Sequence, residues 1–177
     1  MPLPPDIPTL TALWFAAFQD PDLTRLWPNT PSIRQWFVDI NSLDAQENPR
    51  IAAYAKWDLS TPEQRGERYP PWHSDIPGEE CGAFFGREER ERGRVMGDTK
   101  HYYLDTLATH PDYQRQGAGS MLLKWGCDLA DEQGVGLYVD ASKAGAPLYE
   151  RFGFVDESEP GAGEVASMVR SVASGVR

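Results

Sequence analysis

From His101 onward, strand-like and helix-like runs alternate along the chain, and this order restricts the fold more than any other feature. Apolar residues at every second position indicate strands, whereas apolar residues at every third or fourth position indicate helices. The predicted order is strand, helix, strand, helix, strand, strand, over Tyr102 to Thr109, Gly119 to Gln133, Gly136 to Ala141, Gly145 to Phe152, Phe154 to Glu157 and Val165 to Arg170. This pattern predicts an α/β (α+β) fold, in which helices pack on a mixed sheet.

The longest of these helices has apolar residues Leu122, Trp125 and Leu129 at helical spacing, and we expect this stripe to face the core. Gly134 and Gly153 follow the two helices. Each glycine is a typical helix end, since glycine readily takes the left-handed conformation that closes a helix.

The N-terminal half is less regular. Asp6 is expected to cap a helix that ends before Asp20, and a short turn should follow over Asp22 to Trp27. Thr30 and Pro31 form a second helix start signal, yet the apolar spacing of residues 33–40 fits either a helix or a strand. Arg50 to Trp57 is predicted to be a strand.

Between this strand and His101 lies a long polar connection, Ser60 to Pro77, followed by a predicted helix over Glu79 to Met96. Connections of this length are often functional lids. We expect one domain over residues 1–177, in which residues 60–96 form either a lid or a solvated excursion.

The composition excludes several classes of protein. With 177 residues, 40% of them hydrophobic, the chain can bury a core, and its net charge of -10 argues against nucleic acid as a partner. Its two cysteines, Cys81 and Cys127, have no metal-type spacing, so neither a metal site nor a disulfide framework is expected. No apolar run reaches membrane-spanning length and no secretory signal is visible, so we expect a cytoplasmic protein, cytosolic or nuclear, without a membrane partner.

A glycine-containing turn, Gln114-Arg115-Gln116-Gly117-Ala118-Gly119, joins the first of the regular strands to the long helix. The first backbone N–H groups of a helix have no intrahelical partner and favour anions. Two spaced glycines are also common in ordinary tight turns. The turn is therefore a candidate phosphate site whose neighbours must decide its role.

Three segments together resemble the GCN5-related N-acetyltransferase (GNAT) family: Leu107 to Gly119, Ser120 to Gly134 and Pro147 to Phe154. The glycine signature of that family is matched by Gln114, Gly117 and Gly119, and its downstream tyrosine motif by Leu148, Tyr149, Gly153 and Phe154. The resemblance covers roughly residues 100–170. It implies a mainly antiparallel, twisted sheet with splayed central strands, and acetyl-CoA as co-substrate.

The resemblance also implies where acetyl-CoA binds. Backbone groups of Leu107, Ala108 and Thr109 would contact the acetyl and pantetheine arm, and the amides of Arg115, Gln116, Gly117, Ala118, Gly119 and Ser120 would hold the pyrophosphate. Ser142 stands where many relatives have a pantetheine-binding asparagine. Its hydroxyl can donate one hydrogen bond.

Tyr149 matches the tyrosine that commonly protonates the departing thiolate in the family, although a packed core tyrosine is the alternative. Asp105 is the first candidate for the general base because it shares a strand face with Leu107; a structural aspartate is equally compatible. Tyr103 shares that face and could shape an acceptor pocket. His101 and His110 are weaker base candidates.

The sequence departs from the family most in its N-terminal half, where the usual first strand is missing or shortened. We therefore expect an acetyl-CoA-dependent N-acetyltransferase that acts on a primary amine of a small molecule. A protein N-terminal or lysine acetyltransferase and a non-catalytic acyl-CoA-binding protein are the alternatives. A homodimer is left open as the oligomeric state.

Overall fold

A computed structural model describes residues 7–19, 21–40, 51–66, 68–69 and 71–172. The chain divides into two compact units that interleave along the sequence. Of the described residues, the first unit contains those within 1–54, 66–84 and 108–119, and the second contains those within 55–65, 85–107 and 120–177. The expectation of one domain over residues 1–177, in which residues 60–96 form either a lid or a solvated excursion, stays a prediction.

Helices form the first part of the chain. Helix α1 (Ile7–Ala17), α2 (Pro21–Leu26) and α3 (Pro31–Ile40) precede the first described strand, β1 (Ala53–Asp58). The expected helix before Asp20 is confirmed, whereas the expected turn over Asp22 to Trp27 is wrong, because Pro21 starts a short helix there. Asp6, the predicted cap of α1, lies outside the described residues, as do the residues that could form the first strand of the family.

The ambiguity over residues 33–40 is resolved in favour of a helix. The Thr30 hydroxyl accepts a hydrogen bond from the Ile33 amide at 3.3 Å, and Pro31 occupies the first helical position. Such a cap satisfies an amide that would otherwise lack a partner, so it favours the helix over the strand. Helices α1 and α3 pack against each other in the first unit.

The regular half follows the predicted order. After α4 (Gly78–Met96) come β2 (His101–Thr109), α5 (Ala118–Gln133), β3 (Gly136–Ser142), α6 (Ala146–Glu150), β4 (Val155–Asp156) and β5 (Val165–Arg170). Gly97 and Gly134 directly follow α4 and α5 at φ values of 50° and 63°. Helix α6 ends at Glu150, before the predicted Phe152, with Arg151 as its right-handed C-cap, and Gly153 at φ 82° lies in the turn beyond it. These helix ends therefore use the left-handed conformation that glycine permits.

The five strands form one mixed sheet in the order β1-β2-β3-β5-β4. Strand β2 is parallel to β3, and β5 is antiparallel to both β3 and β4. This mixed sheet flanked by helices confirms the predicted fold class. None of the described helices has both the length and the apolar character needed to cross a membrane.

The main core of the second unit lies between α5, α6 and one face of the sheet, with Leu123, Cys127 and Ala130 of α5 buried in it. The predicted stripe of Leu122, Trp125 and Leu129 is wrong at Trp125, which is 54% exposed, whereas Leu129 is partly buried and packs against the core. The fully buried face is displaced by one position from the predicted one. The reason is tertiary: Gly126 lets the indole of Trp57 lie directly on the helix backbone.

Candidate functional site

Strands β2 and β3 separate after only three residue pairs, and this fork opens toward their C-terminal ends. The pairs are His101 with Gly136, Tyr102 with Leu137, and Tyr103 with Tyr138. Beyond them, the described register pairs none of residues 104–107 with β3, while β3 continues to pair with β5 as far as Ser142. The predicted splay of the central strands is confirmed.

The loop that follows β2 is held by its own side chains. The Gln114 amide donates to the Thr109 carbonyl at 3.2 Å, and the Gln116 amide donates to the Asp112 carbonyl at 3.0 Å. His110 caps the short 3-10 turn by accepting the Asp112 N–H at 3.2 Å. The two glutamines therefore shape the loop, and His110 has a structural role as the cap of the 3-10 turn.

The loop reverses direction through two left-handed residues, Arg115 at φ 60° and Gly117 at φ 93°. Left-handed residues in a turn direct successive N–H groups into an anion-binding concavity. A Cβ at Gly117 would meet no atom within 4 Å, so the space above the turn is open. Helix α5 begins next, at Ala118, and has no acidic residue in its first turn to oppose an anion.

Tyr149 lies on α6 and is 7% exposed. Burial raises the pKa of its phenol to about 12, so the hydroxyl keeps its proton at neutral pH. Ser142 shapes the turn before α6, because its hydroxyl oxygen accepts the Gly145 N–H at 3.1 Å. A Cβ at Gly145 would lie 3.2 Å from that oxygen and 3.6 Å from Cε2 of Tyr149, so a glycine permits this close approach.

Asp105 is nearly buried and forms an ion pair with Lys56 of β1, with 3.2 Å between Nζ and Oδ2. Its catalytic role stays a prediction, and the ion pair gives it a structural role as well. Tyr103 donates its hydroxyl to Oδ2 of Asp140 at 3.0 Å, which is a contact that the sequence did not suggest. The available signal was an acidic residue inside the otherwise apolar strand β3.

His101 is held in one tautomer. Its Nδ1 lies 2.7 Å from the Thr99 carbonyl, and its Nε2 lies 2.8 Å from Nη1 of Arg65. Since arginine only donates, Nε2 must be the unprotonated nitrogen. Burial lowers the pKa of His101, and its bond with Arg65 makes it a structural histidine.

The sequence model of the acetyltransferase (GNAT) family matches residues 9–154. The chain belongs to this family. Members of the GNAT family transfer acetyl groups and generally use acetyl-CoA, so an N-acetyltransferase is the general activity that membership supports. The open turn at Gly117 and the uncharged start of α5 fit the pyrophosphate of such a cofactor.

Solved structures share the GNAT fold over nearly the whole chain. A Corynebacterium glutamicum protein described as histone acetyltransferase HPA2 and related acetyltransferase is 21% identical, with a TM-score of 0.60 over 97% of this chain and 94% of that one. A GNAT-family acetyltransferase of Desulfovibrio desulfuricans is 20% identical, with a TM-score of 0.52 over 94% and 91%. A Pyrococcus horikoshii protein is 14% identical, with a TM-score of 0.57 over 98% and 95%. The search of curated protein sequences found no significant match to this chain.

Proposed function

We propose that the protein transfers the acetyl group of acetyl-CoA to a primary amine of a small molecule. The observation that carries this proposal is the fork between β2 and β3, because β2 leads directly into an open turn whose left-handed residues, Arg115 and Gly117, suit the binding of an anion. A pantetheine arm requires extended backbone partners, and a pyrophosphate requires clustered amides. One continuous segment of the chain offers both.

The residues that would hold the cofactor follow from these two features. The amides of residues 115–120 would bind the pyrophosphate, and the backbone of residues 107–109 would bind the acetyl and pantetheine arm. The Ser142 oxygen accepts one hydrogen bond from Gly145, and its hydroxyl hydrogen stays available for the pantetheine.

Acetyl-CoA, when bound, supplies the thioester. The amine nitrogen forms a bond to the carbonyl carbon as the carbon–sulfur bond breaks, so one proton must leave the amine and one must reach the sulfur. Tyr149 holds a proton on Oη and would donate it to the leaving sulfur. Asp105, or a water molecule, would take the amine proton.

A thiol-release assay over a panel of small amines, lysine-containing peptides and peptides with a free N-terminus tests the activity and the acceptor together. We expect Tyr149→Phe to reduce turnover at least tenfold while coenzyme A still binds. Tyr102→Phe is the matched control, because Tyr102 is also 7% exposed in the same core and should retain full turnover. Equal turnover of both variants would remove Tyr149 from the mechanism.

The cofactor half is tested separately by titration calorimetry with coenzyme A. Gly119→Glu places a carboxylate in the first turn of α5 and should abolish binding, since it competes with the pyrophosphate. Gly93→Glu adds the same charge at an open position on α4 and should bind normally. Unchanged affinity in the Gly119 variant would refute the pyrophosphate site. Tight binding without turnover on any amine would instead indicate an acyl-CoA-binding protein, and turnover on peptides alone would indicate a protein acetyltransferase.

A further inference from the structure

Lys56 brings a primary amine of the protein itself to the splayed part of β2. Its Nζ lies 3.2 Å from Oδ2 of Asp105, and the Thr106 hydroxyl donates to the same oxygen at 3.2 Å. The Asp105 side chain is only 5% exposed, whereas the Lys56 side chain is 45% exposed. Of the six described residues of β1, Lys56 alone is exposed. Its amine is therefore held at an oriented carboxylate by a side chain that other molecules can reach.

Lys56 and Asp105 lie on the face of the sheet opposite to Tyr149. Leu104, which precedes Asp105, is buried in the core cluster that contains Tyr149. Trp57, which follows Lys56, packs against the same cluster. Because side chains alternate along a strand, Lys56 and Asp105 point to the other face. A thioester held in the fork would then have the Tyr149 phenol on one side and the Lys56 amine on the other.

The position of the Lys56 amine is the one that the acceptor requires. In the transfer proposed above, Asp105 takes a proton from the attacking amine, so this amine must lie within hydrogen-bond distance of the carboxylate. The 3.2 Å between Nζ and Oδ2 meets that requirement. A lysine side chain is also a primary alkyl amine, which is the proposed class of acceptor. Since it is tethered in place, it reacts without the encounter that a dissolved amine needs.

Exposure alone predicts a different order of reactivity among the four lysines of the sequence. The side chains of Lys124 and Lys143 are 65% and 61% exposed, compared with 45% for Lys56. Lys100, the remaining lysine, is exposed as well. Acetyl-CoA that reacts without catalysis should therefore modify Lys124 and Lys143 at least as fast as Lys56. A preference for Lys56 would require help from its surroundings.

We propose that Lys56 is a site of self-acetylation, at which the protein transfers the acetyl group of acetyl-CoA to its own Nζ. The inference rests on the proposed function for its chemistry and on the Lys56–Asp105 pair for its site. The ammonium group first loses one proton to solvent. Nζ then forms a bond to the thioester carbonyl carbon as the carbon–sulfur bond breaks, while Asp105 accepts the second proton and Tyr149 donates one to the sulfur. Solvent returns the proton from Asp105 to Tyr149, and the products are acetyl-lysine and coenzyme A.

Mass spectrometry of the intact chain tests the proposal, with acetyl-CoA in excess as the only added reagent. Protein whose starting mass shows no acetyl group is incubated, and proteolytic peptides then locate the modification. We expect acetylation of Lys56 to be at least about tenfold faster than that of Lys124, and its rate constant to be the same when the protein is diluted. Equal rates at the two lysines, or a rate constant that falls on dilution, would overturn the proposal.

Two carboxylate variants form a matched pair. Asp105→Asn removes the proton acceptor of Lys56 and should slow its acetylation at least about tenfold. Asp128→Asn removes the partner of Lys124, 2.6 Å away on α5, and should leave the acetylation of Lys56 unchanged. Wild-type acetylation of Lys56 in an Asp105→Asn protein that binds coenzyme A would contradict the proposed chemistry. If that variant does not fold, the wild-type comparison of Lys56 with Lys124 decides.

Lys56→Arg completes the series, because arginine keeps the positive charge but offers no primary amine. The acetylated peptide should disappear from this variant while coenzyme A still binds. A variant that gains the same mass as the wild type at the same rate would show that another residue is the acceptor.

A panel of small amines separates this inference from the proposed function. If amines are acetylated and Lys56 stays unmodified, self-acetylation is refuted and the function stands. If Lys56 is acetylated in a manner that depends on Asp105 and no amine reacts, the small-molecule acceptor is refuted and the self-acetylation site stands. If neither Lys56 nor any amine is acetylated although coenzyme A binds, both are refuted.

Discussion

The contact between Gly126 and Trp57 makes Gly126→Ala a substitution for which local and tertiary effects have opposite signs. Alanine is a better helix former than glycine by about 0.8–1 kcal/mol, so α5 alone would be stabilised. A Cβ at residue 126, however, would lie 2.1 Å from Cζ2 of Trp57, and 2.5 and 2.6 Å from its neighbours Cε2 and Cη2. Ordinary contact begins near 3.4 Å, so the indole would have to move by roughly 1.3 Å.

The net effect can be bounded from these two contributions. Added methyl groups in a packed site typically cost about 1–3 kcal/mol, which exceeds the gain in helix propensity. Gly126→Ala should therefore lower the free energy of unfolding by up to about 2 kcal/mol. Gly93→Ala is the matched control: it is an exposed glycine within α4 with no atom within 4 Å of its Cβ, and it should raise the free energy of unfolding by up to about 1 kcal/mol.

Urea unfolding followed by far-ultraviolet circular dichroism measures both variants. The informative quantity is the difference between them, expected to be about 1–3 kcal/mol, since the propensity gain is common to both. In a Trp57→Ala background the difference should vanish. The reasoning is refuted if Gly126→Ala stabilises the protein as much as Gly93→Ala while Trp57 is present.

Three further predictions concern titration, a side-chain tie and the glycine turn. Because burial lowers the pKa of His101, the unfolded chain takes up the proton first, so the stability from neutral His101 is complete above about pH 6.5 and declines as the pH falls below it. Comparing the unfolding free energy at pH 5 and pH 7 in wild type and His101→Gln checks this, and equal slopes would contradict it. Arg170 forms two hydrogen bonds to Asp131, at 2.7 and 2.8 Å, so Arg170→Lys should lower the free energy of unfolding in urea by about 1 kcal/mol. An unchanged unfolding midpoint would show that the two parallel hydrogen bonds of the guanidinium do not contribute. Gly117→Ala strains a residue at φ 93° by about 1–2 kcal/mol and should weaken coenzyme A binding in calorimetry about tenfold; normal affinity would show that the turn tolerates a Cβ.

The elements with strong local signals could be predicted from the sequence. Strand β5 has the predicted bounds, Val165 to Arg170, and the helix that precedes Gly97 ends where that glycine permits a left-handed turn. The glycine turn joins β2 to α5 as predicted, and Tyr149 lies on the short helix α6 as predicted. Each of these signals acts within a few residues, so it is readable without the fold.

Features that depend on distant partners could not be read in the same way. Both faces of α5 carry apolar residues, and the choice between Leu122 and Leu123 as the buried position depends on where Trp57 packs. The ion pair of Asp105 with Lys56 requires the neighbouring positions of β1 and β2 in the sheet. The hydrogen bond from Tyr103 to Asp140 likewise requires β2 to lie beside β3 in the sheet.

The fork between β2 and β3 has a consequence for how such a protein can change over time. If the ligand is held at the fork as proposed, it contacts main-chain groups, which every amino acid possesses, so the side chains of residues 104–107 other than Asp105 need not specify it. Mutations can therefore accumulate around the site, as long as the two strands still part after Tyr103. A solved structure that is 21% identical to this chain has the same fold, so the strand order that creates the fork persists through extensive change of sequence.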